Sequence, residues 1–130
     1  MAVTLQRSGA VVSIIGRLPS NDKDAERYMS ALHEISAQIG PYVLLVDLGM
    51  ELDLSREQRK AQNLWYKADR PRIEAACKAC ALVRPAADEN MQRMWQGLFS
   101  FPILATRSRE EAERFLARHA PGELANVEPS

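Results

Sequence analysis

Few residues in this chain could do chemistry, and they are widely spaced. Its 130 residues include two histidines, His33 and His119, and two cysteines, Cys77 and Cys80. The cysteines form a C-x-x-C, a spacing used by redox pairs and by half of a zinc site. A structural zinc ion needs two further ligands, and the two histidines lie far from the pair at no recognised spacing. A redox pair of the thioredoxin kind stands at a helix N-terminus after a strand, whereas this pair precedes the strand-like run Ala81-Leu82-Val83. The cysteines are therefore read as two buried small side chains. His33 falls in the polar part of a helix, and His119 in a last helical turn, where a cation suits the helix dipole. No glycine-rich phosphate loop, G-x-S-x-G elbow or H-E-x-x-H appears. The expectation is a protein without catalytic, metal or cofactor site, and not an enzyme.

What remains are candidates for binding. Asp47 ends an apolar run, at the carboxyl edge of a sheet where open α/β folds place ligands. A carboxylate that organises the following loop by accepting backbone N–H bonds explains it as well, and is the favoured reading. Arg56, Arg59 and Lys60 cluster at the start of a helix. Arg84, Arg107 and Arg109 follow strand ends, where parallel strands would gather them on one edge to receive an anion. Glu57, Asp88, Glu110 and Glu111 lie close enough to neutralise these cations. Trp65 and Trp95 fall on apolar helical stripes and are assigned to the core. Tyr66 falls beside its stripe and is the better surface candidate.

The elements that must hold these residues are legible in the spacing of apolar positions. Val3 and Leu5, a turn at Ser8-Gly9 and the β-branched run Val11 to Ile15 make a hairpin. A helix capped within Pro19 to Asp22 carries Tyr28, Met29, Leu32, Ile35 and Ile39 on one stripe, and Gly40-Pro41 ends it. Tyr42 to Leu48 is nearly continuous in apolar residues, the pattern of a central strand covered on both faces. After a loop over Gly49 to Leu54, Ser55-Arg56-Glu57-Gln58 has the form of a capping box. The helix it opens has Ala61, Leu64, Trp65 and Ala68 as its apolar face, and Pro71 either kinks it or starts a new turn. Cys80 to Val83 is a third internal strand. Met91, Met94, Trp95 and Leu98 mark a short helix, and Pro102 to Thr106 is a last strand. Ser108-Arg109-Glu110-Glu111 is a second capping box before Ala112, Phe115 and Leu116, and Pro121-Gly122 closes that helix.

The order β-β-α-β-α-β-α-β-α predicts an α/β fold: one small, mostly parallel sheet with an N-terminal hairpin and about four helices. Residues 1–120 make a single domain and 121–130 a frayed tail. Seventeen basic residues balance seventeen acidic ones, so no net field favours nucleic acid. No apolar run approaches the roughly 20 residues that span a bilayer, and Met-Ala-Val-Thr-Leu-Gln-Arg has no signal-peptide apolar region. A cytoplasmic protein without membrane insertion is expected.

This order resembles the STAS superfamily. The residues that carry the likeness are V-V-S-I-I-G at Val11 to Gly16, L-L-V-D-L at Leu44 to Leu48, Phe99 to Pro102, and E-E-A-E-R-F-L at Glu110 to Leu116. It looks most like the bacterial anti-sigma-factor-antagonist-like branch that borders on CRAL-TRIO domains, over roughly residues 3 to 119. The resemblance implies helices mainly on one face of the sheet and regulation through a protein partner, with no chemistry of its own. Antagonist members carry a phosphorylated Ser or Thr after the L-x-D-L-like strand, usually in an Asp-Ser-Ser-Gly-like run. Here Leu48-Gly49-Met50-Glu51-Leu52-Asp53-Leu54-Ser55 follows, so the motif is missing, and Asp53 and Ser55 are the nearest substitutes. Ser55 already has a structural role as a helix cap. Two readings follow: a regulatory module that binds another protein or a second copy of itself, or a small carrier with an apolar pocket for a lipid or other hydrophobe.

Overall fold

A computed structural model of the chain describes residues 3–16, 24–48 and 55–120. The cap expected within Pro19 to Asp22, the loop at 49–54 with Asp53, and the tail from Pro121 lie outside these residues. The first two strands, β1 (Val3–Ser8) and β2 (Val11–Gly16), pair antiparallel in a tight hairpin. Gly9 takes the first central position of its turn at φ +58°, a conformation open to glycine. Helix α1 (Asp24–Ser36), β3 (Tyr42–Leu48), α2 (Arg56–Ala76), β4 (Cys77–Val83), α3 (Glu89–Gln96), β5 (Ile103–Thr106) and α4 (Arg109–His119) follow. The element order is the one predicted.

The strands lie in the order β1-β2-β3-β4-β5, with β2 through β5 parallel. Each crossover steps to the next strand in the same direction, so right-handed connections commit α1, α2 and α3 to one face. On that face Ile14, Leu44, Val46 and Leu82 meet Tyr28, Leu32 and Ile35 of α1 and Ile73 of α2. On the opposite face Val43, Leu45, Ala79, Ala81 and Val83 meet Ala112, Phe115 and Leu116 of α4. All seven residues of β3 are buried, as expected of a strand covered on both sides.

The β4 strand starts at Cys77, three residues before the expected position. Its register with β3 shifts between Tyr42 and Leu44, which lie opposite Cys77 and Cys80. The extra residue is a β-bulge. It leaves Lys78 exposed and puts both cysteines in the core on the three-helix face, while Ala79 faces α4.

Three other expectations need correction. Ile39 is 82% exposed, because α1 stops at Ser36 and a tightened turn follows, with Ala37 and Gln38 donating to the Glu34 and Ile35 carbonyls. Helix α2 continues through Pro71 as one element, so the proline opens no new helix; it is exposed, so water can serve the Lys67 carbonyl that loses its donor. The stripe Ala61, Leu64 and Ala68 faces solvent, with Leu64 60% exposed. The inward face of α2 carries Trp65, Tyr66 and Ile73 instead.

Both ends of the sheet are handled by side chains. At β5, the Gln92 carboxamide accepts from Ala105 N–H at 2.7 Å and donates to the Ile103 carbonyl. Gln96 accepts from Ile103 N–H and donates to the Phe101 carbonyl, each at 2.8 Å. Spaced one helical turn apart, these amides take the place of a sixth strand and occupy the groups that would otherwise recruit one. At the other edge, Arg7 of β1 reaches across to donate to the Ile39 carbonyl at 2.7 Å, tying the hairpin to the chain after α1.

Gly40 sits where α2 ends, and a Cβ there would lie 2.5 Å from the Ala76 Cβ and 2.7 Å from its Cα. The neighbour is backbone, which has little room to yield. Gly40→Ala is expected to lower unfolding stability by about 1–3 kcal/mol, measured as a lower urea midpoint at unchanged slope.

Candidate functional site

The carboxyl edge of the sheet is organised by the turn from β5 into α4. The expected capping box at Ser108 forms only in part: Ser108 Oγ accepts from Glu111 N–H at 3.1 Å. The Glu111 carboxylate turns to the Thr106 hydroxyl, and Ser108 N–H donates to Thr106 Oγ1 at 3.0 Å. Thr106 is buried, so this set of bonds fixes how α4 leaves the sheet.

The first residue of α4 is thereby aimed at β3. Arg109 donates from Nη1 to Asp47 Oδ2 at 2.7 Å and from Nε to Glu113 at 2.9 Å. Partial burial works against the guanidinium charge, but its bonds to Asp47 and Glu113 outweigh that and raise its pKa. Asp47 is itself buried. The favoured reading of Asp47 as a loop-organising carboxylate omitted this partner, which lies 62 residues along the chain. Of the arginines expected to gather for an anion, Arg109 is bonded to two carboxylates, and Arg107 donates to the Ala87 carbonyl at 3.1 Å.

At the head of α2 the capping box is complete. Ser55 Oγ accepts from Gln58 N–H at 3.1 Å, and Gln58 Oε1 accepts from Ser55 N–H at 2.8 Å. Ser55, Arg56 and Arg59 are all exposed.

Tyr66 is not on the surface. It packs against the core, donates to the Leu98 carbonyl and meets the Phe99 ring edge-on, with centroids 5.3 Å apart. Beside it, Trp65 donates to Ser36 Oγ at 2.8 Å, and Ser36 donates on to Asp69 at 2.7 Å. These bonds satisfy the polar tips of an otherwise apolar layer.

That layer encloses a cavity of about 80 Å³ between the sheet and α1 to α3. Tyr28, Trp65, Tyr66, Trp95, Phe99 and Phe101 line it, six of the chain's eight aromatic residues. By the usual cavity cost, leaving such a space unfilled sacrifices about 2 kcal/mol of packing. Its wall is apolar apart from a few groups that include Gln62, Asn63 and Arg84. Burial raises the Tyr28 hydroxyl to about 12, against the opposing field of Arg84. The sequence carried one signal of the cavity, the crowding of aromatics from Trp65 to Phe101.

Cys77 and Cys80 are free and buried. Burial pushes the Cys77 thiol up to about 12 and the Cys80 thiol well above its ordinary range. Neither is a thiolate near neutral pH, which removes the nucleophile that redox exchange requires. Among the described residues, no three His, Cys, Asp or Glu side chains are placed to hold a metal, and no helix is long and apolar enough to cross a membrane.

No protein-family description matches the chain, and no curated protein matches its sequence. Its structure is similar to that of an uncharacterized protein of the DUF3478 family from Shewanella loihica PV-4, which has a SpoIIAA-like fold. The TM-score is 0.57 over 88% of this chain and 91% of that one, at 15% sequence identity. The chain therefore has a SpoIIAA-like fold.

The Asp47–Arg109 contact crosses from β3 to α4 and is expected to be energetically coupled. Asp47→Asn and Arg109→Met should each cost about 1–3 kcal/mol. A double-mutant cycle by urea denaturation should return a coupling of at least about 0.5 kcal/mol, where independent sites would give additive losses.

Proposed function

We propose that this chain is a non-enzymatic regulatory module of the cytoplasm that docks on another protein through the outer face of α2 and the rim beside it. The observation that carries this reading is the stripe Ala61, Leu64 and Ala68, which has helical spacing yet faces water. A leucine 60% exposed on a helix that already buries its other face is a candidate contact. Arg56, Lys60 and Lys67 flank the stripe along one side of the helix, Glu57 lies in line with it, and Arg59 falls on the opposite side. The surface so formed suits a partner with a small apolar patch and acidic residues along one side of it.

Ser55 stands at the head of this same helix, so a phosphate there would meet the helix N-terminus and Arg56 and alter the docking surface. The run from Leu48 to Ser55 lacks the Asp-Ser-Ser-Gly-like phosphoacceptor, and Asp53 and Ser55 are its nearest substitutes. Asp47 is bonded to Arg109 of α4, on the face of the sheet opposite α2, and Tyr66 packs against the core. A second copy of the chain is the other occupant this surface admits.

The test is affinity capture from the protein's own cells with wild type and with Lys60→Glu/Leu64→Glu, whose changes are both at exposed positions. A protein retained by wild type and reduced at least about tenfold by the variant, or a wild-type dimer in light scattering that the variant loses, bears the reading out. Equal capture by both proteins, or a strict monomer with no partner, contradicts it.

A further inference from the structure

We propose that the groove between α2 and α3 is a docking site for an amphipathic helix of a partner protein, one that carries an apolar stripe with acidic residues along one flank. The site goes beyond the stripe of Ala61, Leu64 and Ala68, which lies on a different side of α2.

The groove exists because the three helices on this face are not evenly packed. Helix α2 packs closely along α1 but not along α3. The gap is bridged where Tyr66 donates to the Leu98 carbonyl and Glu74 accepts from Ser100 N–H at 3.0 Å. Tyr66, Trp95 and Leu98 are half-buried and form its floor. The same three side chains line the cavity beneath.

The two walls differ in chemistry. On α2, Arg59, Asn63, Tyr66 and Arg70 fall at i, i+4, i+7 and i+11, which is one face of a helix. Tyr66 reaches the chain that leaves α3, so this face borders the groove. On α3, Gln92 and Gln96 are held on β5 and Trp95 turns toward the cavity. Met91 and Met94 share the stripe of Trp95 and Leu98, at i, i+3, i+4 and i+7. Met91 is half-buried and Met94 is 57% exposed. Unbranched thioethers adapt to the shape of whatever covers them, which suits an apolar binding wall.

Charge selects the occupant. Arg59 and Lys67 are exposed, and among the described residues no side-chain bond or ion pair holds either one. Arg70 donates to Glu74 at 3.1 Å, lies 5.8 Å from the centre of the Tyr66 ring and keeps its side chain 47% exposed. Glu74 is the carboxylate in line with this wall, and it is already bonded to Arg70 and Ser100 N–H. Glu89 shares a flank of α3 with Arg93, one turn apart and away from the methionines. The α2 wall therefore carries an excess of positive charge opposite an apolar α3 wall. A helix laid between them would set its apolar anchors on Met91, Met94 and Trp95. Its acidic flank would meet Arg59, Lys67 and Arg70, and a basic flank would be repelled.

The experiment is a titration of the full chain, followed by methionine methyl NMR, with a synthetic amphipathic helical peptide that has leucine at i, i+3, i+4 and i+7 and glutamate along one flank. The same peptide with lysine in place of glutamate and phosphatidylglycerol vesicles are the comparisons. The glutamate peptide should saturate at or below about 1 mM and shift the Met91 and Met94 methyls. It should bind at least about tenfold more tightly than the lysine peptide. R59E should remove most of that preference, and M94E should abolish binding in a protein that still unfolds cooperatively. L64E, which makes the same kind of change on the outer stripe, should leave binding largely intact. No saturable shift of the two methyls, equal affinity for the lysine peptide, or a loss in L64E as large as in M94E would each overturn the proposal. So would tighter binding to the vesicles than to the peptide. None of these results depends on a partner of the outer stripe, so failure here is distinct from failure of the docking reading.

Discussion

The arrangement depends on the two-sided burial of β3. Its seven buried residues need apolar cover above and below, because a central parallel strand that loses either cover exposes a continuous hydrophobic surface. The chain can supply that cover in only one way. Three crossovers stepping in one direction commit α1, α2 and α3 to a single face, so α4, the last described element, must cover the other. Ala79 and Ala81 of β4 and Ala112 of α4 keep that second interface thin, and Phe115 and Leu116 fill it. The cap at Thr106, Ser108 and Glu111 and the Arg109–Asp47 bond fix the angle at which α4 departs. They connect the edge of the sheet to the strand at its centre.

The same asymmetry accounts for the cavity. Three helices of different length, laid side by side on a twisted sheet, bring large aromatic side chains together from α1, α2, α3 and the chain before β5. Large rings leave irregular gaps, and here a gap persists where Tyr66, Phe99 and Phe101 are already arranged against one another. The α4 face, built from alanines and a few larger residues, carries no comparable ring of aromatics.

Much of this architecture was legible in the sequence. Tyr42 to Leu48 lacks the two-residue alternation of a half-exposed strand, and that predicted a central position. Ser55 with Gln58 predicted a helix start that both reciprocal bonds realise. Misreadings arose where tertiary context decides. Ala61, Leu64 and Ala68 have core spacing, but α2 is oriented by Trp65, Tyr66 and Ile73 together with the bonds among Trp65, Ser36 and Asp69, and that orientation turns the stripe outward. The bulge that brings Cys77 and Cys80 to one face has no local mark. Nor does the use of Gln92 and Gln96 as a surrogate strand, since glutamine on a short helix ordinarily reads as a solvated surface. Of the binding candidates, Arg56, Arg59 and Ser55 lie at one exposed helix head, Asp47 is buried and bonded to Arg109 of α4, and Tyr66 belongs to the cavity wall.

Native-state amide hydrogen exchange tests the central claim most directly, because it ranks each strand by the free energy needed to open it. If β3 is the doubly covered centre, the amides of Val43 to Leu48 and of Ala79 to Val83 should be the slowest in the protein and exchange only through global unfolding. Those of β1, at the open edge, should exchange earlier through local opening. Exchange from β3 as fast as from β1 would contradict the account.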